Sequence, residues 1–282
     1  MNAILGGLGA AAAWTVSTLS TSRSSKLVPP SSVLATVMLI GTILTAPFAL
    51  SSGVPEGLDA ETLAWIVASG LGNIVGLLLA YTSLRVGKVG VVAPIASTQG
   101  AVAAVIAVLA GETIAPGSGL MLVLIVVGVS LASISSAADT SDGRGDRRGA
   151  MLACGSATLF GFGLYAIGRV SGDLPVVWVL FVQRLLGVLV LTVPLIVLGR
   201  VRMTRGALPF VLVSGVCEIV GLAAFSIGAR EGIAVTAILS SQFAALAAIV
   251  AYFLFDERLR RVQVVGVAAI IVGVAVLTGL QA

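Results

Sequence analysis

Two formally charged side chains, Arg184 and Glu218, fall inside long apolar stretches of this 282-residue chain. Charge at the centre of a bilayer costs about 2.5–3.5 kcal/mol on insertion scales, so such residues face a cavity or a partner. Two chemistries fit them. They can form a mutual ion pair, or Arg184 can snorkel to the interface. Alternatively Arg184 holds a substrate carboxylate while Glu218 takes up a coupling proton or cation, because burial disfavours the charged form of a carboxyl group.

Uncharged polar groups recur at comparable depth. Ser97-Thr98-Gln99 follows Pro94, and Ser240-Ser241-Gln242 sits in a later stretch. An amide inside a membrane needs partners, so Gln99 and Gln242 serve either bonds between helices or donors and acceptors for a substrate. Pro94 removes a backbone donor and frees a carbonyl there. Trp14 lies in the middle of the first apolar stretch, with Phe160 as its distant counterpart and Tyr165 further along. Trp65 and Trp178 lie near stretch ends, where an interfacial aromatic belt explains them. Trp14 and Tyr165 are candidates for the flank of a cavity. Glu112 and Glu257 end two apolar stretches, and their carboxylates can accept the free N–H groups that open the next helix. They read as hairpin locks.

What is missing narrows the chemistry. The chain has no His, and Cys154 and Cys217 both lie in apolar stretches. Neither a metal-ligand cluster, a nucleophile with its base, nor a Gly-rich phosphate loop can be assembled. The reading is a protein without metal, cofactor or enzymatic activity, and any ATP-driven pumping would need another subunit. A net charge of +4 over this length is too small an excess to imply nucleic acid.

These residues must be positioned by membrane helices. Hydrophobic residues make up 58% of the chain and charged ones 10%, against about 25% charged in soluble domains. A spanning helix needs roughly 20 mostly apolar residues. Ten stretches qualify, near 2–21, 31–51, 62–84, 89–110, 117–137, 149–168, 174–198, 207–228, 232–255 and 262–280. The period-two pattern of a membrane barrel is absent, so the predicted fold is all-α. The 34 glycines let helix backbones approach closely. The first stretch lacks the basic start of a cleavable signal and reads as a retained span.

The chain also repeats itself. Ile74-Val75-Gly76-Leu77 meets Ile219-Val220-Gly221-Leu222, Arg85-x-Gly87 meets Arg230-x-Gly232, and Gly111-Glu112 meets Asp256-Glu257, each 145 residues apart. This divides the chain into a five-helix repeat over 1–136, a polar linker over 137–149 and a second five-helix repeat over 150–282. Five is an odd number, so the second copy enters the membrane from the opposite side, and carriers of that design bind substrate between the copies. The copies disagree where Asn73 faces Glu218 and where Pro94 faces Leu239. Such mismatches are where a coupling ion or a direction can be chosen, which adds Asn73 to the candidate substrate-binding residues.

Lys and Arg favour cytoplasmic loops. The loops after spans 1, 3, 5, 7 and 9 carry Arg23, Lys26, Arg85, Lys88 and the clusters at 144–148, 200–205 and 258–261. Those after spans 2, 4, 6 and 8 carry only Arg169 and Arg230. The count places both termini outside.

With Ala229-Arg230-Glu231-Gly232, then Phe253-Leu254-Phe255-Asp256-Glu257-Arg258-Leu259 and Gly273-Val274 in the second copy, the chain resembles the EamA group of the drug/metabolite transporter superfamily. Trp14 and Arg184 sit where that family tends to have an aromatic and an Arg. The resemblance implies a multi-pass protein of the plasma (inner) membrane, a ten-helix carrier working by alternating access, as a monomer or homodimer in the lipid bilayer. It further implies a small-molecule substrate, an amino acid or related metabolite, with export favoured over import. It also implies both termini inside, against the charge count. A multidrug permease of the same fold and a non-transporting receptor or structural protein are the alternatives. The span here reading Leu239-Ser240-Ser241-Gln242 departs from the family, which usually has Pro at that place.

Overall fold

A computed structural model describes residues 1–56, 58–86, 92, 95–113, 117–132 and 143–243, with scattered positions from 246 to 276. Among the described residues every regular element is a helix. We number them α1 Asn2–Leu27, α2 Pro30–Ser51, α3 Ala60–Val86, α4 Gln99–Leu109, α5 Ser118–Ala132, α6 Gly143–Val170, α7 Val176–Gly187, α8 Leu208–Ala229 and α9 Ile233–Ser240. Past Gly187, α7 widens into a π-turn over Val188–Thr192 and resumes over Val193–Val197. Pro194 has no N–H to give the preceding turn, and the wide turn absorbs that mismatch.

Among the described residues six helices are long and apolar enough to cross a membrane: Asn2–Leu27, Pro30–Ser51, Ala60–Val86, Arg148–Val170, Val176–Val197 and Leu208–Ala229. Ile95–Leu109 and Gly119–Gly128 are shorter apolar helices in the fourth and fifth expected spans. The fourth, fifth and ninth spans are therefore described in part. Most of 262–280, together with Pro94, Pro116 and Glu257, lies outside the described residues. α6 starts at Gly143, inside the stretch 137–149 expected as a linker. Its charged first turns contain Arg, a good helix former, and extend an apolar helix beyond its hydrophobic part.

The helices turn their large apolar side chains outward: Ile43, Phe48, Leu109 and Val197 are all more than half exposed. Ser17, Ser69, Ser156, Ser214 and Thr236 are buried. This is the distribution expected where lipid is the solvent and small residues bring helices together. The Cβ that an alanine would add at Gly6 overlaps the Ala224 carbonyl and Gly228 of α8. At Gly100 it overlaps the Ala237 carbonyl of α9. These are backbone-to-backbone crossings that only glycine permits.

The packing has a second regularity. α1 lies against α8 and α3 against α6; α2 crosses α7 and α4 crosses α9; α4 also touches α6, as α9 touches α1. Exchanging each helix for its counterpart five spans away returns the same set of neighbours. The residue contacts follow. Gly76 is closed off by Phe160 and Gly221 by Trp14, while Gly41 is closed off by Arg184 and Gly187 by Met38. In each pair the two glycines are 145 or 146 residues apart, and so are the residues that cover them.

Candidate functional site

Small polar residues at helical spacing build one wall. On α1, Trp14, Ser17, Thr18 and Thr21 share a face at i, i+3, i+4 and i+7. On α3 the stripe is Ser69, Asn73 and Leu77, and on α8 it is Ser214, Glu218 and Leu222. These helices, with α4, α6 and α7, surround a cavity of about 880 Å3 of empty space, its open mouth included. Gln99, Phe160, Gln183 and Phe243 complete the parts of its lining that matter here. The lining follows α3 from Ser69 to Leu84, about 22 Å at 1.5 Å per residue. Beyond Ser69 lies an apolar cluster that includes Ile66, Val170, Val179, Leu180 and Phe225, with Ile167 shared between it and the lining. Those residues sit at the start of α3, the end of α6, the start of α7 and the end of α8. The described lining thus runs from this cluster toward the end of α3.

Glu218 stands in the cavity wall and is 7% exposed; Arg184 is 0% exposed and lies behind it. An Arg184 Nη2 donates to Glu218 Oε2 at 3.5 Å, and Nη1 reaches Asn73 Oδ1 at 3.4 Å and Met38 Sδ at 3.5 Å. Arg184 Nε has no partner among the described residues. Asn73 and Glu218 are repeat counterparts, and so are Met38 and Arg184. One cation therefore bonds a carboxylate from one half and the matching amide from the other. The ion pair and the cavity are both present, but only the carboxylate reaches the cavity surface.

Serine and threonine hold that carboxylate in place. Ser17 Oγ donates to Glu218 Oε1 at 3.0 Å and contacts Ser214 Oγ at 3.0 Å, which in turn contacts Thr21 Oγ1 at 2.7 Å. Across the cavity Gln183 Nε2 donates to Ser69 Oγ at 2.9 Å, and Ser69 donates to the Gly163 carbonyl at 3.0 Å. Gln183 Oε1 is left without a partner among the described residues. The reading from residue types overlooked Ser17, Thr21, Ser69, Gln183 and Ser214. The signal for them was the i, i+4 spacing of Ser69 to Asn73 and of Ser214 to Glu218.

Of the candidates named from sequence, Trp14, Asn73, Gln99 and Glu218 line the cavity. Arg184 does not. Tyr165 is buried elsewhere, edge-on to Trp65 with ring centroids 6.0 Å apart and within a cluster with Ile4 and Leu239. Gln242 is buried outside the lining, and its Nε2 has no partner among the described residues. Glu112 accepts the Ala234 N–H at 3.1 Å, so its described partner opens α9 rather than α5. Glu112 thus holds the start of a helix in the other half, while residues 114–116, which lead into α5, and Glu257 lie outside the described residues. Glu231 at the end of α8 does the same for α1, accepting the Asn2 N–H at 2.9 Å.

Among the described residues no group of His, Cys, Asp or Glu could hold a metal ion. A solved structure described only as "Crystal structure of protein" superposes with a TM-score of 0.78, covering 99% of this chain and 96% of its own at 19% identity. That likeness concerns the fold. No curated protein compared with the chain matches it. The model of the EamA-like transporter family matches residues 1–134 and again 147–279, one match to each half. This chain belongs to the EamA-like transporter family and is a multi-pass membrane protein of the drug/metabolite transporter type.

Proposed function

We propose that the chain is a secondary active carrier whose substrate site is the cavity between its two halves. One observation carries the reading: Arg184 bonds the repeat counterparts Asn73 and Glu218, and among the described residues only Glu218 presents charge to the cavity. Two five-helix repeats of inverted orientation, ten spans in all, support alternation of access by rocking one half against the other. The symmetric packing and the apolar cluster at one end of the cavity fit such a cycle.

In this account Arg184 is first a counter-charge. It pairs with Glu218 in the cavity wall, and a proton or cation bound by Glu218 would release Arg184 from its strongest partner. Glu218 is the coupling group, binding a proton or a cation, because Asn73 in the other half cannot titrate. A carboxylate-bearing substrate reaches Arg184 by displacing Glu218. The substrate is a small metabolite, an amino acid or a related compound, with export favoured. A broader small-molecule permease is the second reading, favoured by the rings of Trp14, Phe160 and Phe243 in the wall.

The Lys and Arg distribution favours both termini outside. A cysteine placed at position 142, in a background lacking Cys154 and Cys217, should resist an impermeant thiol reagent in whole cells. Labelling from outside would reverse the orientation. The coupling role is tested with Glu218→Gln in reconstituted vesicles: the folded variant should lose the pH dependence of transport. Retention of the wild-type pH profile would remove Glu218 from the mechanism. Arg184→Lys keeps the charge but not the guanidinium fork, and should weaken transport of carboxylate substrates selectively.

A further inference from the structure

Two loops from different halves meet on one face of the molecule. The Arg202 N–H donates to Ser32 Oγ at 3.0 Å, which docks the α7–α8 loop onto the start of α2. Ala207 and Met203 pack against the same apolar cluster as Val28 and Val33. The apolar residues of the loop therefore turn inward, while Arg200, Arg202 and Arg205 are exposed. Arg23 and Lys26, just before α2, are exposed as well. None of these five cations makes an ion pair among the described residues. No Asp or Glu occurs in 22–30 or 199–207. Directly beside them Leu27, Val197, Leu198 and Leu208 are exposed apolar side chains.

The scaffold does not require this charge. The corner related by exchange of halves joins the end of α2 to the start of α7, where Trp178 Nε1 donates to Ser52 Oγ at 3.0 Å. It carries Glu56, Asp59, Glu61 and Asp173 against two cations, Arg169 and Arg230, the second of which donates to the Ser171 and Leu174 carbonyls. The same architecture is thus basic at one corner and acidic at the other. A cationic patch built from two halves, with bare hydrocarbon-facing residues at its edge, matches a molecule with a phosphate head and an apolar tail.

We propose that the corner formed by Arg23, Lys26, Arg200, Arg202 and Arg205 is a binding site for the headgroup of an anionic phospholipid. Arg matches phosphate oxygens with paired N–H donors. A lipid seated there bridges the α1–α2 corner of one half to the α7–α8 loop of the other, whatever solute the cavity carries.

The test is native mass spectrometry of the full chain equilibrated with equal phosphatidylcholine and phosphatidylglycerol. Each cation near an anionic surface is worth roughly fivefold in partition, so phosphatidylglycerol should be retained about tenfold or more over phosphatidylcholine. The variant R200Q/R202Q/R205Q should bring the ratio close to one. R200K/R202K/R205K should keep most of it, which guards against a folding defect. R144Q/R147Q/R148Q removes charge elsewhere in the chain and should leave the ratio unchanged. Inorganic phosphate, compared with chloride at equal ionic strength, should not displace the lipid. The proposal is overturned by absence of preference in the wild type, by preference surviving the triple Gln variant, by equal loss in the 144–148 control, or by displacement with free phosphate.

Discussion

The Arg184–Glu218 pair makes the sharpest energetic prediction. In Glu218→Gln, Arg184 keeps its charge at 0% exposure and has only neutral partners: Asn73, Met38 and the new amide oxygen. Removing one partner of a buried pair costs about 3–5 kcal/mol, and the 3.5 Å separation places this case near the lower figure. Arg184→Met leaves a carboxylate at the cavity wall, held by Ser17 and within reach of water, so the cost is about 2 kcal/mol. The double variant recreates the chemistry of the first half, where Met38 already sits beside the amide of Asn73. It should cost about 2 kcal/mol in all, giving a coupling near 3 kcal/mol in the double-mutant cycle. Ordinary hydrogen bonds between membrane helices average about 0.6 kcal/mol in such cycles, so the two cases are separable. The assay is reversible unfolding in mixed micelles followed by tryptophan fluorescence. Additivity of the single costs to within about 0.5 kcal/mol would show that the pair is not energetically an ion pair.

Gly100→Ala sets a methyl group against the Ala237 carbonyl and the Ser241 hydroxyl, and overpacking of this kind costs about 1–3 kcal/mol; a lowered unfolding midpoint checks it, whereas Gly119→Ala, with open space around it, should change little. Glu112→Ala removes the cap on the Ala234 N–H and should cost about 1 kcal/mol, measured in the same assay. Asp59 accepts the Thr62 N–H at 2.8 Å, and that bond holds its carboxyl below the usual carboxylate range. A lowered value in the folded state stabilises above the unfolded pKa and fades as pH falls through the folded one. Asp59→Ala should therefore unfold earlier than wild type at pH 7, with the gap closing in acid.

The sequence carried the charge pair because few other ionisable groups fall within its apolar stretches, and carried the duplication because Gly, Arg and Glu recur at a fixed offset. It also marked Trp14, Asn73 and Gln99, which do line the cavity. Rotation about a helix axis was harder to read. Arg184 and Gln183 are neighbours on α7, yet Gln183 faces the cavity and Arg184 lies behind the wall, since 100° of helical rotation separates adjacent side chains. Tyr165 packs on Trp65 for the same reason, one residue beyond the lining Leu164. The bond from the Ala234 N–H to Glu112 joins the two halves, and sequence adjacency gives no sign of it. Ser17 and Ser214 drew no notice, since small hydroxyl residues are abundant in membrane helices and only the geometry selects the ones that touch Glu218.

The claim that the cavity carries a solute is tested most directly by counterflow into proteoliposomes of the purified chain, using labelled amino acids and related small metabolites. At least one compound should accumulate saturably above protein-free liposomes. Thr18→Trp, which fills the cavity from a half-buried wall position, should abolish that uptake while the protein remains folded. Uptake no greater than in protein-free liposomes for every compound, or uptake untouched by Thr18→Trp, would contradict the account.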